Sequence, residues 1–174
     1  MKKNGFTLLE LMIVIVIVGI LSGLAVVNFR GLASKYQLEN QVRELYADIM
    51  SARMMAMNKN RAVFINLVAT GQYTLYEDTD NDGTLNTGSD TQVVRQKPQA
   101  YSFFGTTVSN RAMTWNGNNP VEFNSRGLAN TQGTICVYST VNPSYDCMKI
   151  STTRIILGKL TVQGTCDAAN CVAK

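Results

Sequence analysis

No histidine occurs among the 174 residues of this chain. That absence removes the commonest general base, the usual proton shuttle and the preferred imidazole metal ligand together. Charge is sparse as well: 16% of residues are charged, and Lys2 and Lys3 at the extreme N-terminus supply part of the formal +4. No polybasic block follows, so composition offers no argument for a nucleic-acid partner. Cysteine is missing until late in the sequence, where Cys136, Cys147, Cys166 and Cys171 all fall. An even number confined to one region, behind an export-type N-terminus, favours disulfides over metal ligation. A four-cysteine zinc site normally has pairs spaced by two to four residues, whereas ten separate Cys136 from Cys147. Reading "ICVYSTVNPSYDCMKI" as a hairpin turning at Asn142-Pro143 would set Cys136 beside Cys147, leaving Cys166 and Cys171 to close a tail loop; four cysteines permit three pairings. With no histidine to activate it, a catalytic thiol is disfavoured.

What the chain does have is a long apolar run. From Leu11 to Val27 only Gly19, Ser22 and Gly23 interrupt Leu, Met, Ile, Val and Ala, a length of ~26 Å as a helix. A secretory signal has a shorter apolar core and a cleavage site after it. Here the polar leader is only Met1 to Gly5, and an acid, Glu10, stands near the start of the run. The basic leader end is expected to stay cytoplasmic, with the chain beyond Val27 outside. Gly19 and Gly23 have the spacing that permits close helix approach.

The stretch "KKNGFTLLE" resembles the class III signal of the type IV pilin and type II secretion pseudopilin family. The resemblance rests on a short basic leader, Gly5 before the expected cut, Phe6 after it, then Thr7-Leu8-Leu9 and Glu10. It implies cleavage between Gly5 and Phe6 by a prepilin peptidase, methylation of the new Phe6 amine, and an apolar helix left uncleaved in the inner membrane. Glu10 would then be an assembly residue, since an intramembrane acid normally needs a partner and marks function. The amine of Phe6 on a neighbouring subunit is the partner the resemblance supplies. The other reading of Glu10 is a helix-start residue favoured by the dipole.

After Asn28 the pattern turns amphipathic. Leu38, Val42, Leu45, Ile49, Ala52 and Ala56 recur on one helical face, while Lys35, Glu39, Arg43, Glu44 and Asp48 occupy the other. One helix of about 52 residues, ~78 Å long, is therefore expected to end near Asn58. Beyond Lys59-Asn60 the period switches to two: "RAVFINL" and "QYTLYE" form a hairpin turning at Thr70-Gly71. Further strands are expected at 92–95, 101–104, 113–115, 121–123, 133–138, 148–151, 155–157 and 160–162. Trp115, Phe123 and the strand tyrosines read as core or sheet surface.

The fold expected is α+β: a long N-terminal helix, half transmembrane and half amphipathic, packed on a mostly antiparallel β-sheet head. The divisions are a leader over 1–5, a transmembrane or filament-core helix over 6–29, its amphipathic continuation over 30–58 and a head over 59–174. The stretches "RELYADIMSARMMAMNKNRAVFI", "VEFNSRGLANTQGTICVYS" and "RIILGKLTV" resemble the H-type minor pseudopilin and minor pilin group within that family. Some members of the group bind DNA through a basic motif near the C-terminal strand. Here Gly158-Lys159-Leu160-Thr161 carries one basic residue, so nucleic acid is not an expected partner.

"DTDNDGTLNTGSD", Asp78 to Asp90, places acids at alternate positions before a glycine, the pattern by which a loop wraps a hard cation. Asp78, Asp80 and Asp82 would supply carboxylates, Thr84 a carbonyl, and Asn86 and Asp90 later ligands of a structural calcium ion. Position twelve is Ser89 rather than a bidentate acid, with Asp90 one step later. An exposed hairpin loop, with Asp, Asn and Gly serving turn geometry, accounts for the same letters.

These observations together imply a non-enzymatic filament subunit, a minor pseudopilin of a type II secretion pseudopilus or a minor pilin of a type IV pilus. It would be a single-pass inner-membrane precursor, later part of a periplasmic or extracellular filament. Its partners would be other pilin or pseudopilin subunits, the inner membrane, the prepilin peptidase and the filament assembly platform. The alternative is a membrane-tethered calcium- or DNA-binding adhesive module.

Overall fold

The computed structural model describes residues 6–68, 72–98, 102–103, 112–117, 120–139 and 141–174, with backbone alone at 24–31, 68, 72, 94–98, 102–103, 112–114 and 116. Helix α1 (Leu8–Lys59) is continuous. Thr7 starts it through a capping box: its hydroxyl oxygen accepts from the Glu10 N–H at 3.2 Å, and the Glu10 carboxylate accepts from the Thr7 N–H at 2.9 Å. Two donors that helix geometry leaves orphaned are satisfied in this way. Asn60 ends the helix in the left-handed region, where its N–H and that of Arg61 both donate to the Ala56 carbonyl.

The two halves of α1 meet different surroundings. Every described side chain from Phe6 to Gly23 is exposed, whereas Leu38, Val42, Leu45, Ile49, Ala52 and Ala56 are buried against the head. Among the described residues no helix is long and apolar enough to cross a membrane. The described apolar side chains stop at Gly23, short of the roughly 20 residues a span needs; the expected segment over 6–29 runs on into 24–31, where side chains lie outside the described residues.

The head is two sheets. In the first, β3 (Thr91–Pro98), β2 (Gln72–Glu77), β1 (Val63–Val68) and β6 (Val121–Phe123) lie side by side, every pair antiparallel. The second has the order β10 (Cys171–Ala173), β9 (Ile155–Leu160), β8 (Cys147–Ile150), β7 (Gly133–Val137), β5 (Ala112–Gly117) and β4 (Ser102–Phe103). Its only parallel pair among the described strands is β4 with β5. Helix α1 packs on β1 and β6 of one sheet and on β8 and β9 of the other. Its buried face therefore closes a core shared by both, with Phe123, Tyr73, Trp115, Ile135 and Met148 among the fillers. The hairpin β1–β2 pairs Val68 with Gln72 as the alternation requires; its turn at Thr70-Gly71 lies outside the described residues.

Four expectations need correction. Glu39 is not on a solvated helix face: it is 5% exposed, its carboxylate accepting the Ser144 N–H at 2.6 Å. Asp48, from the same supposed face, accepts from the Tyr73 hydroxyl. Residues 155–157 and 160–162 are not two strands but the single β9 followed by a bend at Thr161, because Gly158-Lys159 continues the ladder rather than turning. The hairpin pairing of cysteines is also overturned: the bridges are Cys136–Cys166 and Cys147–Cys171, with Cα separations of 5.7 and 5.9 Å.

Gly158 makes room for one of the two bridges. It lies opposite both Cys147 on β8 and Ala173 on β10. A Cβ on Gly158 would stand 2.5 Å from the Val172 carbonyl oxygen and 2.9 Å from Cys171 Sγ. The missing side chain opens the gap over β9 through which the Cys147–Cys171 bridge passes. Cys136 and Cys147 remain cross-strand partners, each bound to the tail instead of to the other. The bridges form a second small core with Tyr138 and Leu160. Gly158→Ala should lower stability by about 1–3 kcal/mol, the usual cost of overpacking; an unchanged melting temperature in thermal denaturation would show that the tail moves aside freely.

Candidate functional site

Two places hold the residues that the sequence marks as functional. The first is the tip of α1. The leader, and with it Gly5, lies outside the described residues. Phe6 is 85% exposed. The carboxylate of Glu10 turns back over the first helical turn, accepting from the Thr7 hydroxyl at 3.0 Å as well as from its N–H. Within the single chain, then, the lone acid of the apolar run is satisfied by its own helix start.

The second is the loop between β2 and β3. Asp78 leaves β2 with its N–H on the Ala62 carbonyl, 3.0 Å away, which anchors the loop beside the end of α1. Asn81 and Gly83 adopt left-handed backbone, φ 61° and 75°, and these residue types accept that conformation most readily. The turn they make brings carboxylate oxygens of Asp78, Asp80 and Asp82 within 4.8 Å of one another. Asp82 Oδ1 accepts from the Thr84 N–H and hydroxyl at 2.7 and 2.8 Å, and its Oδ2 accepts from the Asn86 amide at 2.7 Å. Asp80 is fully solvated, and a hydrogen bond from the Ser89 side chain holds its carboxyl below the ordinary range.

Asp90 sits apart from that trio. It is buried, and its two oxygens accept from the Thr79 and Asn86 N–H groups at 3.3 and 2.7 Å. It closes the loop at the base, and its hydrogen-bonding capacity is largely taken up there. Thr84 and Asn86 are drawn to Asp82 rather than spread around a common centre. Beside the loop, Glu77 pairs with Lys59 and, at 3.9 Å, with Arg61. Neither pair reaches the three aspartates.

Sequence reasoning missed two further polar anchors. Asp146 is fully buried, and burial pushes its carboxyl above the usual range, although the Leu160 N–H and the Gln163 amide both donate to it. Asn170 ties the tail, accepting from the Val162 N–H at 2.7 Å and donating to the Val162 and Thr165 carbonyls at 2.6 Å. Neither residue belongs to a spacing pattern that would mark it.

A long helix with a bare apolar tip, seated on a two-sheet β head, defines the class of structure. Residues 41–154 match the family model described as type II transport protein GspH, and residues 1–26 match the prokaryotic N-terminal methylation motif. The chain belongs to the GspH family. Among curated proteins it is similar to type II secretion system core protein G of Aeromonas hydrophila, 40% identical over 60 residues. That match takes in 34% of this chain and 42% of the relative, so the chain spans less than half of the curated protein it matches. Among solved structures it is similar to the type IV minor pilin FimU of Pseudomonas aeruginosa, with a TM-score of 0.49 and 18% identity over 76% of this chain and 96% of that one.

Glu39 gives the head a definite response to acid. The Ser144 N–H, ahead of Lys35 and Arg43, lowers its carboxyl below the ordinary range against the opposing effect of burial. A lowered folded-state value contributes stability that is complete above the unfolded value of about 4.3 and is lost as pH falls through the folded one. Asp146, shifted upward, works in the opposite sense: its contribution is complete below the unfolded value and lost as pH rises through the folded one. Glu39→Gln should therefore flatten the acid loss of stability below about pH 4.3. Glu39→Ala, which strips the Ser144 N–H of its acceptor, should cost about 1–3 kcal/mol at neutral pH. Chemical denaturation across pH checks both.

Proposed function

We propose that this chain is a non-enzymatic structural subunit, a minor pseudopilin or minor pilin, that enters a type II secretion pseudopilus or type IV pilus through its N-terminal helix. The observation that carries the reading is the bare apolar half of α1, on a chain that matches the N-terminal methylation motif and belongs to the GspH family. Leu, Ile and Val side chains from Leu8 to Leu21 stand at least half exposed. Each would be stabilised by about 1.5–3 kcal/mol on complete burial, and lipid and then neighbouring helices are the surroundings that supply it. The precursor would lie in the inner membrane, be cut after Gly5 by a prepilin peptidase, be methylated on the Phe6 amine and pass through an assembly platform to the filament.

In that filament Glu10 would pair with the Phe6 amine of an adjoining subunit and fix the register. The capping box favours a second role for the same residue, starting the helix. The two roles are separable, because glutamine keeps the capping geometry and loses the charge. Glu10→Gln should lower incorporation into filaments about tenfold or more, the equivalent of a charge-assisted hydrogen bond worth ~1.5–3 kcal/mol. Glu10→Leu should lower it at least as far. Quantifying the subunit in sheared filaments against the membrane pool measures this, and wild-type incorporation of Glu10→Gln would leave Glu10 as a helix-start residue only. Intact mass of the filament subunit should lack residues 1–5 and carry one methyl group; an unprocessed Met1 terminus favours the tethered adhesive module instead.

A further inference from the structure

We propose that the β2–β3 loop binds one calcium ion through Asp78, Asp80 and Asp82, fastening the loop beside the junction of α1 and β1. Two ligands on opposite sides of a calcium ion lie about 4.6–5.2 Å apart, twice the usual Ca–O distance. The three carboxylates, with oxygens all within 4.8 Å of one another, fit inside a single coordination shell. Hydrogen bonding inside the loop accounts for the placement of Asp82 and Asp90, so turn geometry alone would explain those two. Asp78 is different. It is 2% exposed, its Oδ2 accepts from the Gly83 N–H at 3.1 Å, and its Oδ1 is buried with no hydrogen-bond partner. A carboxylate oxygen withdrawn from water and left without a partner is costly, and a cation among the three acids supplies the missing interaction.

The neighbouring positive charges do not. Lys59 and Arg61 are paired with Glu77, and Arg61 also donates to the Thr79 carbonyl at 3.4 Å. Nitrogen and sulfur ligands are absent from the loop, which leaves an all-oxygen site suited to a hard cation. Calcium is favoured over magnesium because calcium accepts irregular shells of six to eight oxygens, whereas magnesium demands near-ideal octahedral geometry and dehydrates reluctantly. A cavity of about 280 Å³ lined by Asp78, Asp82, Asn60, Arg61 and Asn124 leaves room beside these two acids for the waters that complete a calcium shell. Asp90, engaged by two backbone N–H groups, sets the loop's shape from behind. The site would thus tie the first sheet to the turn where the helix ends.

The experiment uses the full chain in detergent, stripped with chelator and titrated with calcium chloride, with magnesium chloride at equal ionic strength as the control. One saturable site is expected in calorimetry, with dissociation near the 0.1–1 mM range of extracellular calcium modules. At tenfold excess over that constant the melting temperature should rise by roughly 3–5 °C. Asp80→Asn, at a solvated position outside the core, should weaken binding tenfold or more, its calcium response being read against its own melting temperature in chelator. Absence of saturable heat, an equal shift with magnesium, or full calcium response in Asp80→Asn would each overturn the proposal. None of these outcomes bears on filament entry, which is read from α1.

Discussion

One helical face meets two sheets at once, and the rest of the head is arranged around that contact. Leu38, Val42, Leu45 and Ile49 enter the core from α1, and Ala52 and Ala56 continue the same line with small side chains where the helix reaches β1. Burial of such side chains is worth about 1.5–3 kcal/mol for each Leu, Ile or Val, against the cost of ordering the chain. Among the described residues every side chain from Phe6 to Gly23 is exposed and the buried line begins at Leu38, so the helix is seated on the head through its second half. Asn60, turning the chain directly into β1, makes helix and sheet neighbours in sequence as well as in space.

Much of this was legible in the letters because it rests on periodicity. The three- and four-residue recurrence from Leu38 to Ala56 is the buried line itself, and the alternation in "VFINLV" and "QYTLYE" sets the register of β1 with β2. Polar residues were less legible. Glu39 and Asp48 look like a solvated face because charge usually marks water, yet a backbone N–H of Ser144 and the hydroxyl of Tyr73 reach them from segments far away in the chain. No local pattern encodes such a partner. The short strand β10 escaped notice for a related reason: three residues are too few to show alternation, and they are held by Cys171 and by pairing with β9.

The aspartate loop was legible as a motif and not as a geometry. Spacing marked Asp78, Asp80 and Asp82 as carboxylate ligands and offered Thr84, Asn86 and Asp90 as later ones. The folded loop separates them: three carboxylates converge, Asp90 turns inward to bind backbone, and Thr84 and Asn86 attend Asp82. Likewise, cysteine count announced bridges and left their pairing open, and the space that Gly158 leaves beside Cys171 has no meaning until β8 and β10 are known to flank it.

That crossed pairing divides the molecule by chemistry. Both disulfides join strands of the second sheet to the final segment, while α1 and all four strands of the first sheet contain no cysteine. The covalent clasps thus follow, along the sequence, the helix and every strand of the first sheet. A reductant would release the segment that carries Cys166 and Cys171 from β7 and β8, and would break no covalent link to the helix or to the first sheet.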